Sequence, residues 1–451
     1  FLAAAGRAGL NLGNRAVAML AFALAPFVQL MHMVGKVDHH FVEFTFVLLV
    51  TWLGLRLMSA DTNRATAIAL GLALGFAPGF HNGMFILQIP VLVTLGILWL
   101  RGESFEKLHL PALAISLVSA SLLIVVPSEP FREGLFEFGL LSWFHLYAAF
   151  CSSVFIMFVD RSRFEKRTLL KLAAVCAVLA VPLVGQVLHG AAFLSRDISI
   201  LSGVLEAMSP YTLFFHEFGA MRTVAHYSWL LLLAPVLLVF FLWRLLHERE
   251  PRGVFFAVMT VFGIALLLAQ FRFNYFGLFA LIVGTLVVVQ SIANKYRWSS
   301  SLVLVGLLAG ILIAYQPPLR QHLFAVYAQG AAPLYERARP LFLDLGDRCE
   351  QDPGVILANA NDGNYILFHT DCTVISNNFR LSEADERKIA EINTMMRLSP
   401  EALRMYEPRV KYLLLRASDF VVSRNGQFEL DGSIPLARLL RCLLYTSDAA
   451  D

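Results

Sequence analysis

Val254 to Ile292 reads VFFAVMTVFGIALLLAQFRFNYFGLFALIVGTLVVVQSI. Two apolar runs, 254–270 and 274–292, flank a turn whose one charge is Arg272. Each run reaches the roughly 17–20 residues a helix needs to cross a bilayer, so the stretch predicts a transmembrane helical hairpin. The rest of the chain has the same character: 58% of its residues are hydrophobic and 15% charged, and the mean hydropathy is +0.66. An ordinary soluble domain is excluded by these values. Further spans are expected at 16–35, 41–58, 65–79, 83–99, 110–126, 140–158, 169–188, 228–246 and 300–315. The expected fold is therefore an α-helical polytopic membrane domain of about eleven spans, more being expected upstream.

The net charge of +3 says little, but its placement sets an orientation. Arg7, Arg15, Arg64, Arg101, Lys107, Arg161, Arg163, Lys166, Arg167, Arg249, Arg252, Lys295 and Arg297 fall in alternate loops, predicted cytoplasmic by the bias of Lys and Arg to that side. The opposite face receives the Asp38 turn, His81 and Asn82, the acidic loop from Glu129 to Glu137, the long loop 189–227, the Arg272 turn and everything after Tyr315. All the candidate chemistry is thus expected outside the cytoplasm.

Gln316-Pro317-Pro318 marks the predicted exit from the membrane, dividing a transmembrane domain at 1–315 from a small mixed α/β domain at 316–442. In the latter, strands are predicted at 354–357, 365–368, 372–375 and 410–415, with a hairpin through Asn425-Gly426. Ser382 and Ser399-Pro400 are expected to start helices. Phe1 is not an initiator, so truncation at the start is expected, and Leu443 to Asp451 reads as a translated sequencing adapter. Cys349 and Cys372 lie where an oxidising compartment permits a disulfide, although their spacing does not establish one.

The polar cluster Gly35-Lys36-Val37-Asp38-His39-His40-Phe41-Val42-Glu43 sits between two spans. In extended backbone Asp38 and His40 project to one side, where a carboxylate and an imidazole can share a divalent cation. In the long external loop, Glu206 is a candidate carboxylate, and Glu217 lies in the same loop.

Gly35 to His40 followed by Glu43 resembles the metal motif of the oligosaccharyltransferase catalytic subunit family, the archaeal form especially, in which Asp-x-His supplies two ligands. Ser202-Gly203-Val204-Leu205-Glu206-Ala207-Met208-Ser209-Pro210 stands in the loop whose Glu reaches the same metal, with Gly203 where the family has a hydroxyl residue. Gln270-Phe271-Arg272-Phe273-Asn274-Tyr275 resembles the segment whose Arg holds the donor pyrophosphate, and Asp362 through Arg380 resembles the opening of the external domain. Two departures are visible. The family's first external loop, with its acidic pair, would precede residue 1, and Asn359-Ala360-Asn361-Asp362-Gly363 replaces Trp-Trp-Asp-Tyr-Gly, the motif that reads an Asn-x-Ser/Thr acceptor.

The resemblance implies a C-class membrane glycosyltransferase, moving a glycan from a polyprenyl-linked donor to protein Asn at the outer face of a prokaryotic cytoplasmic membrane. The implied site has Asp38, His40 and Glu206 on Mn²⁺ or Mg²⁺, with Asp38 and Glu206 also catalytic. Arg272 and Lys36 face the pyrophosphate, and Asn361, Asp362 and Gly363 face the acceptor. The implied partners are the lipid-linked donor, an acceptor protein and the bilayer, with no nucleic acid. Alternatives stay open: a related transferase to a hydroxyl, lipid or polymer, or a transporter of lipid-linked glycans. Residue by residue, Asp38 and His40 could simply close a loop, Lys36 and Arg272 could snorkel, Glu206 could be a solvated loop carboxylate, and His32 could be a packed core residue.

Overall fold

The structure, a computed structural model, describes residues 1–31, 40–186, 188, 208–212, 214–215, 223, 228–315, 332–377, 383–416, 420–424, 427–431 and 433–438. Asp38, Lys36, Glu206, His32, His39, Glu217, Ser382, the Asn425-Gly426 turn and the 443–451 tail lie outside the described residues. The chain divides into two compact units, Phe1–Val326 and Tyr327–Asp451.

The first unit is a helical bundle. Its helices are α1 (Leu2–Arg7), α2 (Leu12–Leu24), α3 (Pro26–Met31), α4 (His40–Leu57), α5 (Arg64–Phe80), α6 (Gln88–Leu100) and α7 (Leu110–Val125). They continue as α8 (Trp143–Arg161), α9 (Lys166–Ala180), α10 (Ala234–His247), α11 (Pro251–Ala269), α12 (Asn274–Lys295) and α13 (Ser300–Ala314). Among the described residues, seven helical stretches are long and apolar enough to cross a membrane, and four more apolar helices are shorter. The expected span at 16–35 is broken at Pro26: Ala25 before it is extended (ψ 125°), as the residue preceding a proline prefers.

Apolar side chains face outward as well as inward. Within Lys166–Gln186 an 18-residue window has a mean hydropathy of 2.2 with only 6% of it buried, and Leu170 and Val178 are each 71% exposed. Such a surface suits lipid rather than water. Polar groups instead turn into the bundle, where Ser152 Oγ donates to Gln88 Oε1 across 2.6 Å. Helices α5 and α7 pack tightly at Gly71 and Gly75, one turn apart. A Cβ on Gly75 would fall 2.6 Å from Leu117 O, and one on Gly71 would fall 2.5 Å from Leu113 O, so only glycine permits this approach.

The helix ends carrying the basic residues are tied together. Arg7 grips Asp61 with two bonds of 2.8 and 2.9 Å, Gln290 Nε2 donates to Gly9 O, and Arg101 donates to the carbonyls of Leu245 and Glu248. Clear of these ties stand the start of α4, the end of α5 and the α11–α12 turn, which build the site described below.

The second unit is a three-layer α/β assembly. Strands β1 (Val355–Ala358), β2 (Thr373–Val374) and β3 (Val410–Leu414) form a parallel sheet in the order β2-β1-β3, with Ile356 opposite Val374 and Leu357 opposite Leu413. Ile356 and Ala358 face a core with Phe342, Leu345 and Ile366, whereas Leu357 faces one with Ile392, Met395 and Leu403. Helices α14 (Ala332–Gln351) and α15 (Gly363–His369) therefore cover one face, and α16 (Glu383–Met395) and α17 (Pro400–Tyr406) the other. Ser399 caps α17 by accepting from Ala402 N, with Pro400 in the first turn. Strands β4 (Val421–Arg424) and β5 (Gln427–Leu430) pair antiparallel. Cys349 and Cys372 are disulfide-bonded.

One predicted strand is corrected: Tyr365–Phe368 is helical, within α15. Parallel strands cannot be joined by a tight hairpin, so the segment between β1 and β2 must serve as the crossover, and a helix supplies it. Only Ile366 of that apolar run is buried.

Candidate active site

His40 and Glu43 lie three residues apart on the same face of α4. The Glu43 carboxylate is 2% exposed. Its Oε2 lies 2.6 Å from His40 Nδ1. Its Oε1 lies 2.9 Å from His81 Nδ1, at ion-pair distance but off the ideal hydrogen-bond axis. His81 reaches it because α5 runs back along α4 and ends there, with His81 as its extended C-cap. One buried carboxylate thus bridges two imidazoles at the end of a membrane-length helix, a position where an uncompensated charge is costly.

The Arg272 turn stands beside this group. Tyr275, three residues on, places its ring 6.3 Å from that of His40. Phe271 N donates to Met208 O across 2.7 Å, which fastens the long loop two residues after Glu206 to the turn carrying Arg272. Asn274 Nδ2 donates to the carbonyls of Phe271 and Arg272, each at 3.3 Å, and holds the turn closed. Phe271 also packs edge-on against Phe27 of α3 at 5.6 Å. Three segments singled out in the sequence therefore meet through described neighbours: His40, Met208 and the Phe271–Tyr275 turn.

Among the described residues no group of three or more His, Cys, Asp or Glu could by itself hold a metal. His40 is the one described member of the expected donor set, because Asp38 and Glu206 lie outside the described residues. The surroundings of His40 fit a ligand: metal-binding histidines typically engage their second ring nitrogen with a carboxylate, as Glu43 does at Nδ1. Sequence reading gave neither Glu43 nor His81 a role. The spacing from His40 to Glu43 was a legible signal, whereas His81 comes into place only through the return of α5.

In the second unit, Asn359 Oδ1 accepts from Asn361 N across 3.0 Å, shaping the 3-10 turn Ala360–Asp362. Asn361 is exposed and Gly363 buried. Asp362 is 1% exposed and pairs with Arg416, just beyond β3, so its carboxylate is directed into the domain. Beside this turn lies a cavity of about 300 Å³ lined by Asn359, Ile392, Asn393, Met396, Arg397 and Phe420, with Ile434. It adjoins the carboxyl ends of β1 and β3, the edge at which parallel sheets bind ligands. A more open hollow of about 410 Å³, around Gly354 and Lys411, lies at the opposite ends of those strands.

No protein-family model matches the chain, and no curated protein sequence does. Solved structures do. The archaeal oligosaccharyltransferase AglB from Archaeoglobus fulgidus, in complex with an inhibitory peptide and a dolichol-phosphate, superposes with a TM-score of 0.72 at 14% identity, covering 91% of this chain and 56% of that one. The Archaeoglobus fulgidus enzyme tethered to an acceptor peptide containing the NVT sequon gives 0.66 at 16% identity, covering 91% and 55%. Its complex with Zn and sulfate gives 0.64 at 14% identity, covering 91% and 54%. The chain spans about half the length of these proteins and shares their fold.

Proposed function

We propose that this chain is the catalytic part of an oligosaccharyltransferase-like membrane glycosyltransferase, moving a glycan from a polyprenyl-pyrophosphate to an acceptor on the extracytoplasmic side. The observation that carries the reading is the meeting of His40, Met208 and the Arg272 turn at one end of a bundle with the oligosaccharyltransferase fold. Homologous folds captured with a dolichol-phosphate and with a sequon peptide support a lipid-linked donor and a peptide acceptor. The alternating basic loops and the Cys349–Cys372 bond support the orientation.

In this reading Asp38, His40 and Glu206 hold a divalent cation, Mn²⁺ or Mg²⁺, which supplies Lewis-acid neutralisation of the leaving pyrophosphate. Arg272 adds a fixed positive charge to the same leaving group, and Lys36 assists it. Asp38 and Glu206 bind the acceptor nitrogen and orient it toward the anomeric carbon. The new N–C bond forms as the sugar–phosphate C–O bond breaks, and the amide proton passes to carboxylate or water. Of the turn residues, exposed Asn361 is the one placed to face an acceptor, with the 300 Å³ cavity beside the turn, whereas buried Asp362 and Gly363 hold the turn's shape. Asn359 and Ala360 offer no indole to stack on the acceptor, which favours, as the second reading, a hydroxyl, lipid or polymer acceptor.

The test is mass spectrometry of an Asn-x-Thr peptide incubated with polyprenyl-pyrophosphate oligosaccharide, with Mn²⁺ and with chelator. Metal-dependent mass gain at Asn is expected. Donor hydrolysis or transfer to a hydroxyl without peptide product would move the assignment to the second reading, and bound donor with no turnover would point to transport.

A further inference from the structure

We propose that Glu43 is a positioning residue of this site: it holds the Nδ1 edge of His40 so that Nε2 is the nitrogen presented to the cation, while His81 steadies the other carboxylate oxygen. The inference rests on the metal-site reading above and deepens it.

Three observations converge. First, Glu43 lies one helical turn from His40 on α4, and its Oε2 stands 2.6 Å from His40 Nδ1. Second, the Tyr275 ring lies 6.3 Å away and tilted by 31°, giving the imidazole a second neighbour from the Arg272 turn. Third, Glu43 is 2% exposed in an apolar helix, a place where a carboxylate is retained for what it contacts. His81, with its side chain 23% exposed, reaches the far oxygen from α5. The arrangement His81–Glu43–His40 is a carboxylate–histidine relay of the kind that fixes the tautomer and ring plane of a metal ligand. A purely structural reading is also chemically sensible, since the same bridge staples α4 to α5. The two readings differ in what they do to a bound metal.

The experiment is Mn²⁺ binding to the whole chain in detergent, followed by electron spin echo modulation for directly bound nitrogen, on wild type, Glu43→Gln, His81→Leu and His40→Asn. The expected result is a nitrogen coupling in wild type that His40→Asn abolishes. Glu43→Gln weakens that coupling and loosens Mn²⁺ by about 10–100-fold, the usual effect of losing such a partner. Glu43→Gln with wild-type affinity and coupling, alongside loss in His40→Asn, overturns the positioning role and leaves the metal site standing. No nitrogen coupling in wild type overturns both. If Glu43→Gln does not fold, His81→Leu decides: several-fold weaker Mn²⁺ is expected, and unchanged affinity overturns the role. A change confined to the melting temperature identifies a staple and overturns the proposal as well.

Discussion

The amide of Phe271 donates to the carbonyl of Met208 across 2.7 Å, and this bond joins two segments that lie 63 residues apart in the chain. It fixes the loop two residues past Glu206 against the turn that carries Arg272. Gln270 is extended (φ −147°, ψ 141°), the conformation a residue preceding proline prefers, so Phe271→Pro removes the donor with little backbone conflict. Leaving the Met208 carbonyl unpaired costs about 1–3 kcal/mol. Glycan transfer is expected to fall by roughly tenfold or more in Phe271→Pro beyond the loss in Phe271→Ala, which removes the ring but keeps the N–H. Equal rates in the two variants would deny the tie a catalytic role.

Arg272→Ala is expected to lower kcat/KM for the lipid-pyrophosphate donor by about 100-fold or more, the order seen when a group stabilising developing charge is removed. Arg272→Lys should fall between, since an ammonium keeps the charge but not the planar fork. Initial rates across donor concentration decide it, and wild-type kinetics in Arg272→Ala would mark a snorkelling cation instead.

Arg416→Ala leaves the Asp362 carboxylate buried without its cation. The loss is expected at about 1–3 kcal/mol, below that of a fully buried pair because the Arg416 side chain is 45% exposed. Asp362→Asn should restore part of it in the double variant. Thermal melts of the four proteins of this cycle give the coupling, and additive losses would show that the pair contributes nothing.

Paired by the Arg7 guanidinium, Asp61 is held down at about 2, from an ordinary value of 3.8. A depressed carboxylate stabilises the fold above its unfolded value and loses that contribution as pH falls toward the folded one. The melting difference between wild type and Asp61→Asn should therefore be constant above about pH 5 and shrink as pH falls from 3.8 toward 2. The side chain is exposed, so added salt should shrink the difference as well. A difference growing on acidification would contradict the pairing.

Gly75→Ile is expected to destabilise the bundle by more than the usual 1–3 kcal/mol of core overpacking, because the new Cβ meets backbone at Leu117 O and cannot rotate away. Melting in detergent tests this. Gly306→Ile, on a stretch of α13 where an added Cβ meets nothing within 4 Å, is the matched control and should change little.

Hydropathy made the bundle legible, because length and apolarity are local properties of the chain. It missed the break at Pro26, where an unbroken apolar run hides a backbone restriction on Ala25. In the second unit, the strand signals found β1, β2, β3 and the β4–β5 pair but read Tyr365–Phe368 as a strand. Its apolar and aromatic side chains suit either state, and the crossover demand of a parallel sheet chose helix. At the site, His40 and Arg272 were visible as polar residues at span ends. The bridge to His81 was not, since it depends on where α5 ends in space. Asp362 shows the same limit: its burial against Arg416, 54 residues away, has no trace in the local sequence.

The Cys349–Cys372 bond closes a covalent ring, and that ring contains β1, the Asn359–Gly363 turn and α15. The Asn359 side of the 300 Å³ cavity thereby belongs to a loop of fixed perimeter. It can tilt or repack, but it cannot lengthen to admit a larger partner. Reduction would change the compliance of this ring rather than its composition.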